Sequence, residues 1–183
     1  MKNLLTRIGV LEMKKIILVL VCICLVISLT SCSANQDKSA VTPTEDAYMM
    51  VFMEFYSPEM LSAKINGDVY YISVSLDGVL HENPDLIKHQ IENYLKDTDV
   101  ILLWENMDAL IDLGHIHTDD SGFPTYFENG SLFSFNDILL TDTLYEASPS
   151  IWFGNLGGEG ATYEVKAVSG AWEITSITEM WIS

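Results

Sequence analysis

The chain has 183 residues, with 9 Lys or Arg, 26 Asp or Glu and a formal charge of −17. The first 31 residues take Lys2, Arg7, Lys14 and Lys15 against Glu12 alone, so residues 32–183 keep five Lys, no Arg and 25 acids, a net charge of −20. That balance excludes a nucleic-acid binder, whose affinity rests on clustered Lys and Arg, and argues against electrostatic docking on anionic lipid. A segment of this length supports one core, burying roughly 68–70% of its unfolded surface.

Residues 13–32 run Met-Lys-Lys, twelve residues from Ile16 to Ile27 without a polar side chain, then Ser-Leu-Thr-Ser-Cys. A basic start, a short apolar stretch and small residues before a break are the parts of a secretory signal. The stretch is shorter than the ~18 apolar residues of a bilayer-spanning helix. Leu29-Thr30-Ser31-Cys32 resembles the bacterial lipoprotein signal. The resemblance implies cleavage before Cys32, diacylglyceryl on its thiol, and acyl chains such as palmitate that hold the mature protein to a membrane. On this reading residues 1–31 are the signal peptide, with the true start near Met13. The protein then sits lipid-anchored on the outer face of the cytoplasmic membrane or at the cell surface.

Cysteine usage fits export. Cys22 and Cys24 leave with the signal and Cys32 carries lipid, so the folded part holds no thiol. Disulfides, thiolate nucleophiles and Cys-based zinc sites are excluded together. Residues 32–44, polar and without hydrophobic period, are expected to form a flexible tether reaching at most ~40 Å. Residues 45–183 form the single globular domain.

Glu45 to Tyr56 is dense in apolar residues before Pro58, which predicts a helix of about three turns, with a strand as the alternative. Val69 to Leu76 between Asn66-Gly67 and Asp77-Gly78 gives a β-hairpin signal. Asn83-Pro84-Asp85 starts a helix with a cap residue, proline in the first turn and an acid at the positive dipole end. Its apolar face is Leu86, Ile87, Ile91, Tyr94 and Leu95, opposite Lys88, Glu92 and Lys96. A second helix, roughly Trp104 to Leu113, ends at Gly114; Val100 to Leu103 either extends it backwards or forms a strand before it. Asn129-Gly130 and Ser169-Gly170 each separate strand-like runs and predict hairpins. The class is therefore α+β: an antiparallel sheet built from hairpins with two or three helices packed on it. A cystatin- or NTF2-like curved sheet suits this pattern by analogy of fold alone.

Candidate chemistry is sparse. His115, His117, Asp119 and Asp120 are ligand types that could hold a divalent metal if the loop curled, yet no helical His spacing accompanies them. His115 also suits a helix C-terminus, and Asp119-Asp120-Ser121-Gly122 is ordinary turn chemistry. Gly154 to Gly160 fits neither phosphate-loop order and reads as a mobile loop between strands. The many carboxylates could hide a glycosidase-type acid pair, but sequence cannot select one. No calcium loop or serine-nucleophile motif occurs, and no cofactor is implied. Trp104, Trp152, Trp172 and Trp181 all lie in the exported part. Most are expected in the core, with Trp152-Phe153 the pair whose exposure would mark a ligand platform.

Trp104-Glu105-Asn106-Met107-Asp108-Ala109-Leu110, Tyr126-Phe127-Glu128-Asn129-Gly130, Gly170-Ala171-Trp172-Glu173-Ile174-Thr175 and the ending Trp181-Ile182-Ser183 resemble a group of uncharacterised lipoproteins of Gram-positive bacteria. The resemblance implies location and a compact α+β domain, and brings no established activity. The expected function is a non-enzymatic, membrane-anchored binding module for a protein, peptide or small ligand, with a cationic partner favoured by the charge. The alternative is an envelope-polymer hydrolase using an acid pair.

Overall fold

The computed structural model describes residues 43–64, 69–154 and 157–183, all within one compact unit, Val41–Ser183. The signal, Cys32 and the tether up to residue 42 lie outside the described residues. Among the described residues no helix is long and apolar enough to cross a membrane. The last two tether positions are already docked: the Pro43 carbonyl accepts from Trp172 Nε1 at 2.8 Å, and Thr44 Oγ1 lies 2.9 Å from His81 Nε2.

The class is α+β: among the described residues four helices accompany one large open sheet. Helix α1 (Glu45–Phe55) forms where the apolar density predicts a helix and stops before Pro58, which itself opens a short further helix, α2 (Pro58–Lys64), that was not expected. Strand β1 (Tyr70–Ser75) then enters the sheet, α3 (Pro84–Leu95) crosses over, and β2 (Val100–Leu103) returns beside β1. Helix α3 buries Ile87, Ile91 and Leu95, while Leu86, one residue off that line, stays exposed. Helix α4 (Met107–Asp112) starts three residues later than expected, because Asn106 caps it by accepting from the Ala109 N–H at 3.1 Å. Gly114 leaves it in a left-handed conformation (φ 77°) that only glycine adopts without strain.

The remaining chain is strands: β3 (Ile116–Thr118), β4 (Pro124–Phe127), β5 (Gly130–Ser134), β6 (Asp137–Leu140), β7 (Leu144–Ala147), β8 (Ser150–Gly154), β9 (Gly157–Val168) and β10 (Ala171–Ile182). The ten strands run in the order β2-β1-β5-β8-β9-β7-β6, with β10 on β9, and β4 joining β3 to β8. The sheet is mixed rather than purely antiparallel. Strand β1 forms no hairpin; it lies parallel to both β2 and β5. A strand with three successive buried residues (Ile72, Ser73, Val74) belongs to a sheet interior, where a parallel neighbour arrives through a crossover helix.

Asn129-Gly130 is not a hairpin turn either. Strands β4 and β5 both pair antiparallel to β8, at Tyr126 opposite Gly154 and Leu132 opposite Trp152, so they run in one direction. Asn129 (φ 51°) makes a kink between them, and Gly130 leaves room for the Phe127 ring, which would lie 2.5 Å from an added Cβ. Ser169-Gly170 does turn a hairpin, β9 to β10, with positive φ at both residues as a two-residue turn of this hand requires.

Two cores result. The larger packs α1 and α3 on one face of the sheet through Tyr48, Phe52, Tyr56, Ile87, Ile91, Phe133, Tyr145 and Ile151. The smaller, on the other face, gathers Leu110, Ile116, Phe127 and Leu132, with Met107 and Trp152 packed against it. Two buried serines are satisfied: Ser73 Oγ donates to the Glu105 carbonyl at 2.7 Å, and Ser131 Oγ lies 2.8 Å from Tyr56 Oη.

Candidate functional site

Beyond the smaller core, the same face of the sheet continues onto β8, β9 and β10 and forms a shelf. Glycine alternation builds its floor. Gly158 and Gly160 stand two residues apart and so point to one face of β9. Trp152 sits opposite Gly158 in register and shares that face. Across the next ladder Trp181 stands opposite Gly160. A Cβ on Gly160 would fall 2.7–2.8 Å from Nε1, Cε2 and Cζ2 of Trp181, and one on Gly158 would fall 3.4 Å from Cζ3. The indole therefore lies across both glycines, one face on their backbone, with the residue still 46% exposed.

The described part of the Gly-rich segment is thus strand: Gly154 ends β8, and Gly157 to Gly160 belong to β9 and pair with β8. Its glycines provide steric room for rings. Gly157 does the same for Phe153, whose ring occupies the place of an added Cβ.

A backbone irregularity positions Trp181. The β10 register shifts by one residue between Ile174 and Ser176 and again between Thr178 and Trp181, and Glu179 in the second bulge has φ 52°. For a residue other than Gly, Asn or Asp that conformation costs energy, and bulges re-aim side chains. The Glu179 carboxylate accepts from Thr162 Oγ1 at 3.2 Å. Thr162, two residues beyond Gly160, puts that carboxylate on the face that carries the indole. Met180 and Ile182, the neighbours of Trp181 on β10, are also exposed, and strand alternation turns Ile182, opposite Glu159, to the other face.

Two clefts offer alternatives. One, ≈ 430 Å³, is lined by Pro58, Leu61, Ser62, Tyr94, Asp97, Thr98 and Asp99. The other, ≈ 370 Å³, is lined by Thr44, Leu80, His81, Glu82, Leu140, Thr141 and Asp142. Near the second lies a half-buried carboxylate, Asp137. Its Oδ1 accepts from Tyr145 Oη at 2.8 Å; its Oδ2 accepts from Tyr48 Oη and from the Leu80 N–H at 2.7 Å. Burial pushes the Asp137 carboxyl up from its ordinary value and the donors pull against it; burial likewise pushes the Tyr48 and Tyr145 phenols up. With both oxygens engaged by α1, β7 and the segment before α3, Asp137 ties elements together rather than facing a substrate.

The residues considered as metal ligands do not converge. The His115 ring packs beside Tyr71 (5.2 Å) and Phe127 (6.1 Å), whereas His117 stacks on Tyr126 (4.3 Å, 12°) with Nε2 3.4 Å from Glu128. Asp119 Oδ1 is consumed by its own turn, accepting from the Ser121 N–H at 2.8 Å, Ser121 Oγ at 2.6 Å and the Phe123 N–H at 2.9 Å. The Ser121 hydroxyl, with those amides, holds the Asp119 carboxyl below its ordinary value. Asp120 is exposed beside it. Among the described residues no three His, Cys, Asp or Glu side chains gather as an ion-binding group.

No family model, curated protein or solved structure matches the chain. The site therefore rests on its own geometry. Of the pair Trp152-Phe153, Phe153 is exposed while Trp152 is half-buried against the smaller core. Sequence reasoning passed over Trp181. Its signal was an i, i+2 glycine pair on the strand facing it across the Ser169-Gly170 turn. Of the other tryptophans, Trp172 is buried and Trp104 is half-buried.

Proposed function

We propose that the protein is a lipoprotein anchored through Cys32 outside the cytoplasmic membrane, working without catalysis as a binding module for a positively charged protein or peptide. The resemblance of Leu29-Thr30-Ser31-Cys32 to the lipoprotein signal supports the location. Mass spectrometry of the native product tests it: the reading requires a diacylglyceryl-modified Cys32 at the new N-terminus, and an intact leader with a free thiol would overturn it.

One observation supports the binding reading above the rest: Trp181, half exposed on a bed of Gly158 and Gly160, in a hairpin that carries Glu159, Glu164, Glu173 and Glu179 against the single Lys166. Lys166 Nζ is itself taken by Glu164 at 2.7 Å. An aromatic surface beside one carboxylate, on a hairpin whose acids outnumber its bases four to one, attracts a cationic partner, and the negative field of the domain raises its on-rate at low salt. The test is stopped-flow association of the detergent-solubilised lipoprotein with a short Lys-rich peptide and with a Glu-rich peptide of equal length. Selective binding of the basic peptide, slower as salt rises and lost in Trp181→Ala, is expected. Equal, salt-independent binding of both peptides would reject the reading.

A second reading, a hydrolase of envelope polymers using an acid pair, is favoured by Asp97 and Asp99 lining one cleft beside Tyr94. It requires that Asp97→Asn or Asp99→Asn abolish release of reducing ends from an envelope polysaccharide; wild-type protein that releases none sets it aside.

A further inference from the structure

One face of the Trp181 indole is spent on the glycine bed, which leaves the other for a ligand. Beside it the Glu179 carboxylate is held by Thr162 Oγ1, so a flat π-face and a fixed negative charge stand together on one face of the β9–β10 hairpin. The ring quadrupole attracts a cation placed over it, and the carboxylate adds Coulomb attraction at short range. The molecule already makes one contact of this type: Lys88 Nζ lies 5.7 Å over the Trp104 ring. On the hairpin the single basic residue, Lys166, is occupied by Glu164, so the complementary charge must come from outside. A second copy of this chain is a poor occupant, because its residues 32–183 bring a further net charge of −20 against a surface of the same sign.

We infer that the Trp181–Glu179 shelf is a recognition site for the ammonium end of a lysine side chain on a peptide or protein partner. The inference rests on the binding-module reading and narrows it to one chemical group and two side chains. Trp152, half-buried on the same face opposite Gly158, provides apolar surface for the lysine stem, whose methylenes pack on apolar groups while the charge stays at the ring.

The probe is a Gly-Lys repeat peptide, compared with the same peptide carrying norleucine for lysine, which keeps the stem and removes the charge. Each is titrated into the full-length lipoprotein while the Trp181 indole N–H resonance is followed. The lysine peptide is expected to shift that resonance, and the norleucine peptide to bind at least about fivefold more weakly. Glu179→Gln should weaken lysine binding several-fold with an unchanged circular-dichroism spectrum, and Trp181→Phe should retain more affinity than Trp181→Ala. Equal affinity for the norleucine peptide would overturn the inference. So would displacement of the lysine peptide by phosphatidylcholine vesicles, or a dimer that buries Trp181. A lysine peptide that binds while Trp181 stays silent removes this site and leaves the module reading standing; no binding of any basic peptide removes both.

Discussion

Substituting Gly160 by Ala tests how the shelf is built. The new Cβ would lie 2.7 Å from Trp181 Nε1 and 2.8 Å from Cε2 and Cζ2, well inside ordinary contact. The backbone of β9 is fixed between β8 and β10, so the exposed indole must lift. A fully buried Trp covers roughly 150–250 Å². The half of it now covered, about 100 Å², is worth at most about 2.5 kcal/mol at about 25 cal/mol per Å². Alanine returns roughly 0.5–1 kcal/mol through its better strand propensity. The expected net loss is about 1.5 kcal/mol, or a fall of about 4 °C in the melting midpoint for a domain of this size. Urea titration and acrylamide quenching, each referred to a Trp181→Phe background, read stability and indole exposure together. Gly158→Ala, whose Cβ would meet the ring only at 3.4 Å and the Ile151 carbonyl at 3.2 Å, should change the quenching less than Gly160→Ala does. A Gly160→Ala protein as stable as wild type with unaltered quenching would refute the glycine bed.

Tyr48→Phe removes one donor from the half-buried Asp137 carboxylate, a hydrogen bond to a charged group worth roughly 1.5–3 kcal/mol. Its pH dependence has a definite sign. Asp137 already titrates above its ordinary value in the fold, so stability declines as pH rises from the unfolded carboxyl pKa of about 3.9 through the folded one. The variant raises the folded value further, so its deficit by urea melts should be smaller at pH 4 than at pH 7.5; a deficit independent of pH would count against a charged Asp137. Asp119 and Glu164 carry depressed carboxyls, and what they add is present above the unfolded value and lost as pH falls through the folded one. Thermal melts across pH should therefore place maximum stability in mild acid, where Asp137 and the self-repulsion of the −20 carried by residues 32–183 are relieved but these two remain ionised; a maximum above neutrality would contradict that balance. Ser169→Asn should stabilise by about 0.5 kcal/mol, because Ser169 sits at φ 53° in a turn that favours Asn-Gly, and a measured loss would argue against that turn type.

Local chemistry was legible wherever it acts alone. Asn83-Pro84-Asp85 places the start of α3, Pro58 ends the α1 region, and Ser169-Gly170 turns β9 into β10. What the sequence hid are choices of partner. Asn129-Gly130 has hairpin chemistry, yet the flanking strands both find β8, so the same positive φ yields a kink. Val69 to Leu76 carries no mark of parallel pairing, because that depends on α3 returning β2 to its side. Glycines 157, 158 and 160 read as mobility, since a glycine chosen for chain freedom and one chosen for lack of a side chain look alike until the facing ring is known. Trp181 was nearly within reach. Counting back from the Ser169-Gly170 turn pairs it with Gly158, and two one-residue bulges advance it to Gly160. Bulges leave little trace in composition, so the site emerged only with the register.

The most direct measurement of ligand capture at the shelf is an ¹⁵N-resolved titration of the lipoprotein with a Lys-rich peptide at low salt. Capture there requires the Trp181 indole N–H and the Gly158, Gly160 and Thr162 amides to move together along one saturating curve. Movement confined to the lining of the Tyr94–Asp97 cleft or the His81–Asp142 cleft, with those four resonances still, would contradict it.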